Sequence, residues 1–502
     1  MTDSPPSPST PPPPGPAPNE PDLVRQVSMS MLWVALGTLI SKLVRVAALF
    51  VVLGLITDAE LGVAQMALTV FVILQSVTEM GLGSAIVRSK TVDPDDLAAL
   101  FWVSVAMSLG LYVVVFFLSY ALASWYEQPL LPPLIQVQAL GVLCFSLYVV
   151  PKSLLVRELR MRRVTVAENL AGALSAGVMM VLAAVGLGVW SIIIGEVSAR
   201  FIEMLIYQGS RPYFPRFLWA PRRIKSLISF GLYNTGSRFL GRFYTEADYL
   251  VIGKMFSDAL MGLYAFAFRS VDDIVKALIY MVNQVAYPTF AKLQDRPDEL
   301  RAFLFGIARG TGLLIGTVLA FIFVFIEPVL VAIGYTQWLP AVPLVRMFAV
   351  IGLLRGLLPL LSSVINAYGE ARYILAYAIV LSVLLPICFV IGGLIAFEGV
   401  AAVWLVAYPP VTLILFRRVS ILTGTPLWTL IRGVGGGLVF PVLLASFLSL
   451  ARLGLETLGA GAGVVAVVGL VLALGGGGGY AWRYERAFID RVFRKKKKAA
   501  AA

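Results

Sequence analysis

The stretch from residue 98 to residue 123 reads AALFWVSVAMSLGLYVVVFFLSYALA and contains no Asp, Glu, Lys or Arg. About 20 apolar residues in a helix cross the roughly 30 Å of hydrocarbon in a bilayer, so this stretch is predicted to span a membrane. Similar stretches recur along almost the whole chain of 502 residues, which is 59% hydrophobic with a mean hydropathy of +0.87. Charged residues make up only 14% of the chain, against about 25% in soluble domains. The predicted fold class is therefore an all-α polytopic membrane protein.

About fourteen transmembrane helices are predicted, within a range of twelve to fourteen because glycine runs weaken the last two. Numbered 1 to 14, the predicted helices cover 28–55, 61–87, 98–123, 131–156, 165–186, 189–208, 226–253, 259–290, 302–326, 340–366, 373–396, 399–416, 434–451 and 460–481. A weak repeat divides them, since TDAELGV at 57–63 opens helix 2 and SDALMGL at 257–263 opens helix 8. Two pseudo-repeated six-helix lobes of the same orientation are expected, with a cleft between them and two additional helices at the end.

Each predicted lobe is flanked by segments of distinct composition. The organisation comprises a disordered Pro-rich cytoplasmic tail (1–27), an N-terminal lobe (28–208), a basic cytoplasmic linker (209–225), a C-terminal lobe (226–420), two additional transmembrane helices (421–482) and a basic cytoplasmic tail (483–502). The first segment lacks the basic region and short apolar core of a signal peptide, so helix 1 is expected to remain in the mature protein.

The distribution of basic residues predicts the orientation. Of 40 Lys and Arg residues, 27 fall in the tails and connections placed in the cytoplasm, and only Lys254 and Arg452 fall in periplasmic connections. Cytoplasmic loops of membrane proteins collect Lys and Arg, so both termini are predicted to be cytoplasmic and the protein to lie in the cell inner membrane. This asymmetry also accounts for the net charge of +12, and nucleic acid is not an expected partner.

Several classes of function find no support in the sequence. There is no histidine, and Cys144 and Cys388 both lie in apolar stretches, where they are interpreted as packing residues. No G-x-x-x-x-G-K-[ST] phosphate loop is present, so ATP hydrolysis, cofactors and metals are not expected. The longest periplasmic connection, about Glu327 to Leu339, is too short for an extramembrane catalytic platform, so an enzyme is not expected.

Eleven basic residues lie within predicted helices, where a charge costs at least about 2.5–3.5 kcal/mol at mid-bilayer and usually faces a wet cavity or a partner. They are Lys42, Arg45, Lys152, Arg200, Arg238, Arg242, Arg269, Lys276, Arg309, Arg346 and Arg355. Three of them, Lys152, Arg200 and Arg309, are close enough to cytoplasmic helix ends to reach the head-group region.

Most of the other intramembrane charges lie in helices 1, 2, 7 and 8, the first pair of each repeat, whereas Arg346 and Arg355 lie in helix 10. Lys42 and Arg45 share one face of helix 1, and Arg238 and Arg242 share one face of helix 7 at equivalent depth. Neighbouring charges are Glu79, Glu246, Asp248 and the mixed cluster of Arg269, Asp272, Asp273 and Lys276. One interpretation is a net-positive cleft that binds an anion, because guanidinium and ammonium groups match phosphate oxygens. The other is a set of salt bridges that lock the two halves together.

Several short segments, in their order and spacing, resemble the Wzx-type polysaccharide flippases of the multidrug/oligosaccharidyl-lipid/polysaccharide exporter superfamily. They are GLGSAIVR (81–88), LFW (100–102), WY (125–126), VPKSLL (150–155), GLGVWS (186–191) and SFG (229–231). The resemblance covers roughly 28–420 and implies a two-lobed bundle that moves undecaprenyl-diphosphate-linked oligosaccharide from the inner to the outer leaflet.

The resemblance also implies which residues act. The cationic positions of the family's central cavity fall here on Lys42, Arg45, Arg238, Arg242 and Arg269. Helix 2 departs from that pattern, because it offers Glu79 rather than a cation. Candidates for ion coupling or gating are Glu79, Glu246, Asp248, Asp272 and Lys276. Expected partners are the lipid-linked oligosaccharide, membrane lipids, a polysaccharide polymerase and glycosyltransferases. A drug or metabolite antiporter of the same superfamily and a lipid II flippase are the alternatives.

Overall fold

The computed structural model describes residues 50–78, 93–158, 160–220 and 224–499, and single residues at 37, 41, 44, 47, 48, 83 and 86. For residues 77–78, 225–235, 237–238, 481 and 483–499 it describes only the backbone. The predicted N-terminal tail, most of predicted helix 1 and the residues Lys42, Arg45 and Glu79 lie outside the described residues. The side chain of Arg238 and those of the basic C-terminal tail also lie outside them.

Fifteen α-helices are found within the described ranges, and we number them in chain order. They are α1 (Asp58–Thr78), α2 (Pro94–Tyr126), α3 (Leu131–Arg157), α4 (Met161–Ala184), α5 (Val189–Ser210), α6 (Lys225–Met255), α7 (Asp258–Lys292), α8 (Pro297–Ala332), α9 (Val342–Ala367), α10 (Ala371–Ile395), α11 (Phe397–Val406), α12 (Tyr408–Thr423), α13 (Leu427–Gly435), α14 (Val439–Thr457) and α15 (Ala462–Ala499). Helices α1 to α10 correspond to predicted helices 2 to 11. The prediction of an all-α polytopic membrane protein is confirmed.

The last three predicted helices differ from the observed ones in detail. Predicted helix 12 is two helices, α11 and α12, that meet at Ala407. Predicted helix 13 begins in the last two residues of α13 and passes through a single 3-10 turn at Gly436–Leu438 into α14, whereas predicted helix 14 continues as α15 to Ala499. Glycine permits close packing of these segments on α8, since a Cβ on Gly312 would lie 2.2 Å from the carbonyl oxygen of Gly437. The glycine runs that lower helix propensity therefore bring helices α13 to α15 against α8.

Ten of the described spans are long and apolar enough to cross a membrane. Helices α5, α6 and α7, of 22, 31 and 35 residues, are also long enough but are not among those ten. Each of the three carries several charged side chains in its interior. Because charges are costly in lipid, such helices are expected to face a polar interior.

The helices pack as two groups joined by α1. In the N-terminal group α2 packs on α3, and α5 packs on both α3 and α4. In the C-terminal group α9 packs between α7 and α8, and α6 packs on α10. Helix α1 contacts α3 on one side and both α6 and α7 on the other, so it forms much of the interface between the groups. The additional helices α14 and α15 pack on α8, away from this interface.

A polar cavity between two lobes as candidate functional site

The two helix groups are held together at one end, which we call the closed end and which the charge pattern predicts to be periplasmic. Gln337 donates its amide N–H to the carbonyl oxygens of Leu53 (3.1 Å) and Ile56 (3.2 Å). The indole N–H of Trp338 also donates to Leu53, at 3.0 Å. On the other side of this end, the amide of Gln128 donates to a carboxylate oxygen of Asp258 at 2.6 Å. These bonds join the N-terminal group to the C-terminal group.

The repeated sequence at 57–63 and 257–263 forms a reciprocal contact at the closed end. A Cβ on Gly62 would lie 1.9 Å from the carbonyl oxygen of Asp258, and a Cβ on Gly262 would lie 1.8 Å from that of Asp58. Because each glycine lacks a Cβ, the backbone of the first residue of the other helix can pack directly against it. The weak repeat seen in the sequence has this physical counterpart, because only glycine allows α1 and α7 to cross so closely.

Below the closed end lies a cavity of about 600 Å³ between the lobes. Its wall is formed by α1, α3 and α5 on one side and by α6 and α7 on the other. The polar residues that line it are Gln65, Gln75, Ser76, Gln138, Glu196 and Arg200 from the N-terminal side, and Arg242, Thr245, Glu246, Tyr249, Arg269, Asp272, Asp273 and Lys276 from the C-terminal side. The apolar lining residues include Leu68, Phe71, Val72 and Phe268.

Five of the ten predicted site residues meet in this cavity: Arg242, Glu246, Arg269, Asp272 and Lys276. Arg238 precedes Arg242 by one helical turn on α6, but the position of its side chain is not described. The described wall carries four basic and four acidic side chains, so its formal charge is balanced. A net-positive cleft therefore stays a prediction, which depends on Lys42, Arg45 and Arg238.

Asp272 is the centre of an ion-pair network in the C-terminal wall. Its carboxylate contacts the ammonium of Lys276 at 2.5 Å and the guanidinium of Arg355 at 3.1 Å. Arg355 is largely buried and lies over the rings of Phe268 and Trp404, at 4.9 and 4.7 Å from their centres. Lys276 is half-exposed to the cavity. The network thus joins an exposed cation to a buried cation through one carboxylate.

A second cavity of about 380 Å³ lies behind this network, within the C-terminal lobe. Thr245, Asp272 and Lys276 line both cavities, so they form the partition between them. Arg355 and Asn283 line the second cavity. Our sequence analysis counted Arg355 among the intramembrane charges but did not assign it to the site. Its pairing joins α9 to α7, and nothing in the local sequence indicates it.

Asp248 does not line the cavity. Its side chain is fully buried, and its carboxylate accepts hydrogen bonds from the hydroxyl of Tyr264 (2.7 Å) and the indole N–H of Trp404 (3.0 Å). It also accepts from the backbone N–H of Tyr249 at 2.9 Å. Three neutral donors thus satisfy this carboxylate inside the C-terminal lobe. Its predicted role in coupling or gating stays a prediction.

The N-terminal wall contains a charged network that our sequence analysis missed. Arg200 lines the cavity and pairs with Glu203 at 3.1 Å, and Glu203 accepts a hydrogen bond of 2.5 Å from the hydroxyl of Tyr148. The interpretation that Arg200 reaches the head-group region is therefore wrong, because a cavity and an acidic partner are available within the lobe. The i,i+3 spacing of Arg200 and Glu203 was the available signal for this pair.

Comparison with known proteins identifies the family. A family model described as polysaccharide biosynthesis protein matches residues 51–343, more than half of the chain. The teichuronic acid biosynthesis protein TuaB of Bacillus subtilis (strain 168) is 24% identical over 353 residues, covering 70% of this chain and 73% of that protein. The lipopolysaccharide biosynthesis protein WzxC of Escherichia coli (strain K12) is 21% identical over 370 residues, covering 72% and 74%.

A solved structure shares the fold. The lipid II flippase MurJ in its inward closed conformation superposes with a TM-score of 0.68 at 12% identity, covering 91% of this chain and 100% of that one. At this identity the likeness concerns the fold alone. The resemblance to Wzx-type polysaccharide flippases is confirmed, and the chain is a multi-pass membrane protein of the polysaccharide biosynthesis protein family with a flippase-like transporter fold.

Proposed function

We propose that this protein flips an undecaprenyl-diphosphate-linked oligosaccharide from the inner to the outer leaflet by alternating access. The observation that carries the proposal is the charged cavity between the lobes, which is closed at the predicted periplasmic end. Its volume of about 600 Å³ lies in the usual range of ligand sites, roughly 300–1,000 Å³. The names of TuaB and WzxC, which refer to teichuronic acid and lipopolysaccharide biosynthesis, support a surface polysaccharide as the end product.

In this proposal the C-terminal wall binds the diphosphate. Arg242, Arg269 and Lys276 present donors to the cavity, and charge-assisted bonds from such groups to phosphate oxygens are short and strong. Lys42, Arg45 and Arg238 are proposed as further phosphate-binding cations. The polyprenyl chain stays in lipid, and the lobes then rock so that the closed end opens. No chemical reaction on the substrate is proposed.

Asp272 is proposed as the gating residue, with Lys276 as its exchangeable partner. An entering phosphate competes with Asp272 for the half-exposed Lys276. When Lys276 leaves, Arg355 still compensates the buried carboxylate, so the exchange avoids the large cost of an unpaired buried charge. Glu246, which also lines the cavity, and the buried Asp248 are proposed as sites for a coupling ion or proton.

The proposal is tested by the lipid-linked glycans of cells that lack the protein. Mass spectrometry with a leaflet-accessibility assay is expected to find an undecaprenyl diphosphate oligosaccharide accumulating on the cytoplasmic face. Its mass identifies the cargo and separates a surface-polysaccharide precursor from lipid II. If no lipid-linked glycan accumulates, the proposed function is wrong.

Complementation with Arg242→Gln tests the phosphate site. The side chain is exposed to the cavity, so the variant should insert normally but transport at least about 10-fold more slowly, because a charge-assisted bond of about 1.5–3 kcal/mol is lost. Arg296→Gln is the control, since Arg296 lies at the surface and pairs only loosely with Glu299 at 3.6 Å. Equal export by both variants would contradict the assignment.

The balanced charge of the described wall supports a second candidate, an antiporter for cationic drugs or metabolites. Glu246 and Asp272 offer carboxylates to such a substrate. Proteoliposomes that contain the purified protein should then take up ethidium against an ion gradient, and cells that lack the protein should become sensitive to cationic dyes. Uptake of ethidium without glycan accumulation in the deletion strain would favour this alternative.

A further inference from the structure

Two buried amide oxygens in the N-terminal wall have no hydrogen-bond donor among the described residues. They are Oε1 of Gln65 and Oε1 of Gln138. Both residues line the cavity, and they are only 3% and 2% exposed. The amide N–H of Gln65 is occupied by Thr69 at 3.1 Å. Buried acceptors without a donor are rare in native proteins because their desolvation is not compensated. Neither oxygen reaches the cavity surface in this conformation, so a donor on a ligand meets it only after the amide has turned toward the cavity.

The two glutamines lie at one depth. Gln65 and Gln138 each come seven residues after the first residue of their helices, Asp58 of α1 and Leu131 of α3, or about 10 Å along the axis. The two helices run side by side at matched height, since a Cβ on Gly141 would lie 3.3 Å from the ring of Phe71. The glutamines therefore form one band of polar groups on a single wall.

The position of the lining carboxylate Glu196 extends this band. Glu196 comes seven residues after Val189, the first residue of α5. A Cβ on Gly188, just before α5, would lie 2.0 Å from a carboxylate oxygen of Glu60 near the start of α1, so α5 begins at the same level. Three parallel helices thus carry lining residues with amide or carboxylate side chains at the same height.

We propose that Gln65 and Gln138 bind sugar hydroxyl groups of the lipid-linked oligosaccharide, on the wall that faces the phosphate-binding cations. An amide oxygen accepts hydrogen bonds, and an ionised diphosphate has only acceptors to offer. The diphosphate therefore cannot satisfy these oxygens, whereas sugar hydroxyls can. This inference rests on the proposed function and adds an orientation to it: the diphosphate lies on the C-terminal wall and the glycan on the N-terminal wall.

The orientation has a consequence for transport. A ligand held by both walls bridges the lobes, because Gln65 and Gln138 belong to the N-terminal group and Arg242 and Arg269 to the C-terminal group. Among the described lining residues, undecaprenyl diphosphate without a glycan contacts only the second set. The glycan then adds the amides of the N-terminal wall to the contacts, and that wall becomes the part of the cavity that selects the cargo.

The test compares two probes on the purified full-length protein in nanodiscs. The probes are undecaprenyl diphosphate and the undecaprenyl-diphosphate-linked oligosaccharide extracted from the producing cells. The double variant Gln65→Leu with Gln138→Leu keeps the side-chain size and removes the acceptors. We expect its affinity for the glycan-bearing lipid to fall about 10- to 100-fold, as for two lost hydrogen bonds, and its affinity for the bare lipid to stay within about 2-fold of the wild type.

Two controls accompany this comparison. Gln136→Leu changes an amide on the same helix that bonds Ser119 at 3.1 Å and does not line the cavity, so both affinities should be unchanged. Arg242→Gln should weaken the binding of both probes.

Three results with the double variant would overturn the sugar site. They are an equal loss for both probes in the double variant, no loss for either, or a sodium-binding isotherm that disappears in the double variant while lipid affinity is kept. A wild-type protein that binds neither probe would instead contradict the proposed function. A wild type that binds both probes equally would contradict only the glycan site.

Discussion

The two walls of the cavity belong to lobes that share a sequence repeat, yet their polar chemistry differs. Among the residues that the structure describes, the N-terminal wall presents three glutamines, a serine and two charged residues, Glu196 and Arg200. The described part of the C-terminal wall presents three basic and three acidic side chains. What the lobes still share lies at the closed end, where Gly62 and Gly262 make the same contact in reverse. The repeat has thus kept the gate symmetric while the ligand-facing surfaces diverged.

This contrast fits a division of work between the lobes. Charged groups in the C-terminal wall match a charged part of a ligand, and amides in the N-terminal wall match neutral hydroxyl groups. A symmetric contact at the closed end suits a gate, because both halves must separate there by the same amount. Three changes to the molecule test whether the walls differ in stability and whether the gate is symmetric.

The largest effect is expected from Arg355→Met in the C-terminal lobe. Removing this buried guanidinium leaves Asp272 with only the half-exposed Lys276, so the free energy of unfolding should fall by about 3–5 kcal/mol. The matched change in the N-terminal lobe, Arg200→Met, leaves Glu203 with the hydroxyl of Tyr148 and should cost about 1.5–3 kcal/mol. Denaturant or thermal unfolding in detergent measures both.

This comparison has a control within the same helix as Arg355. Arg346→Met removes a partly exposed arginine that pairs with Glu327 at 3.0 Å near the closed end, and Glu327 keeps Arg452 at 3.1 Å. The expected loss is about 0–1 kcal/mol. If Arg200→Met destabilised the protein more than Arg355→Met, the C-terminal network would not be the one that contributes more to the free energy of unfolding.

The second effect concerns the gate and should be equal in the two lobes. Gly62→Val and Gly262→Val each place side-chain atoms where a backbone carbonyl now lies, which should cost the closed end about 1–3 kcal/mol. That amount shifts the ratio of open to closed molecules by about 5- to 150-fold. Double electron–electron resonance would report the opening as a longer distance between spin labels at the exposed residues Leu130 and Glu398. The labels are attached in a variant that lacks Cys144 and Cys388.

Gly110→Val is the control for the gate variants, because Gly110 on α2 has open space around it. It should leave the label distance unchanged. An opening caused by only one of the two gate variants would show that the reciprocal contact is not a symmetric gate.

The smallest effect is the difference expected between substitutions of two buried acids. Asp248→Asn replaces one carboxylate oxygen by an NH2 group, which cannot accept a hydrogen bond. One of the three bonds from Tyr264, Trp404 and the backbone of Tyr249 is then lost, and the free energy of unfolding should fall by about 1–3 kcal/mol. In Glu203→Gln the remaining side-chain oxygen can still accept the hydrogen bonds from both Tyr148 and Arg200. The free energy of unfolding should therefore fall by less, about 1 kcal/mol. The measurement compares the unfolding midpoints of the two variants. A larger shift for Glu203→Gln than for Asp248→Asn would contradict this expectation.

Much of the fold could be predicted from the sequence because membrane insertion depends on local composition. Apolar length predicted the spans α1 to α10 closely, and the repeat at 57–63 and 257–263 predicted that two similar units meet. The prediction failed in detail where helices break within a span. The break at Ala407 and the turn at Gly436–Leu438 leave overall hydropathy unchanged, so apolar length alone could not place them. The local signals were Pro409 and Pro410 at the first break and the glycine run at 435–437 at the second.

The site could be predicted only in part, and for a related reason. Five of the ten predicted residues line the cavity because charges inside apolar helices avoid lipid. The same argument could not find the glutamines at 65 and 138, since a neutral amide costs too little in a helix to stand out. Nor could it pair Arg355 with Asp272, which are distant in sequence and lie on helices that the sequence alone does not place side by side.

By itself, the sequence determined the membrane class, the number and approximate bounds of most spans, the duplication and the intramembrane charges. Only the tertiary structure decided which charges face one another, which acid is buried with neutral donors and which amide oxygens have no donor among the described residues. The physical reason lies in the two steps of membrane folding. Insertion responds to the hydropathy of each segment, whereas helix association in lipid depends on shape and on a few polar contacts between segments far apart in the chain.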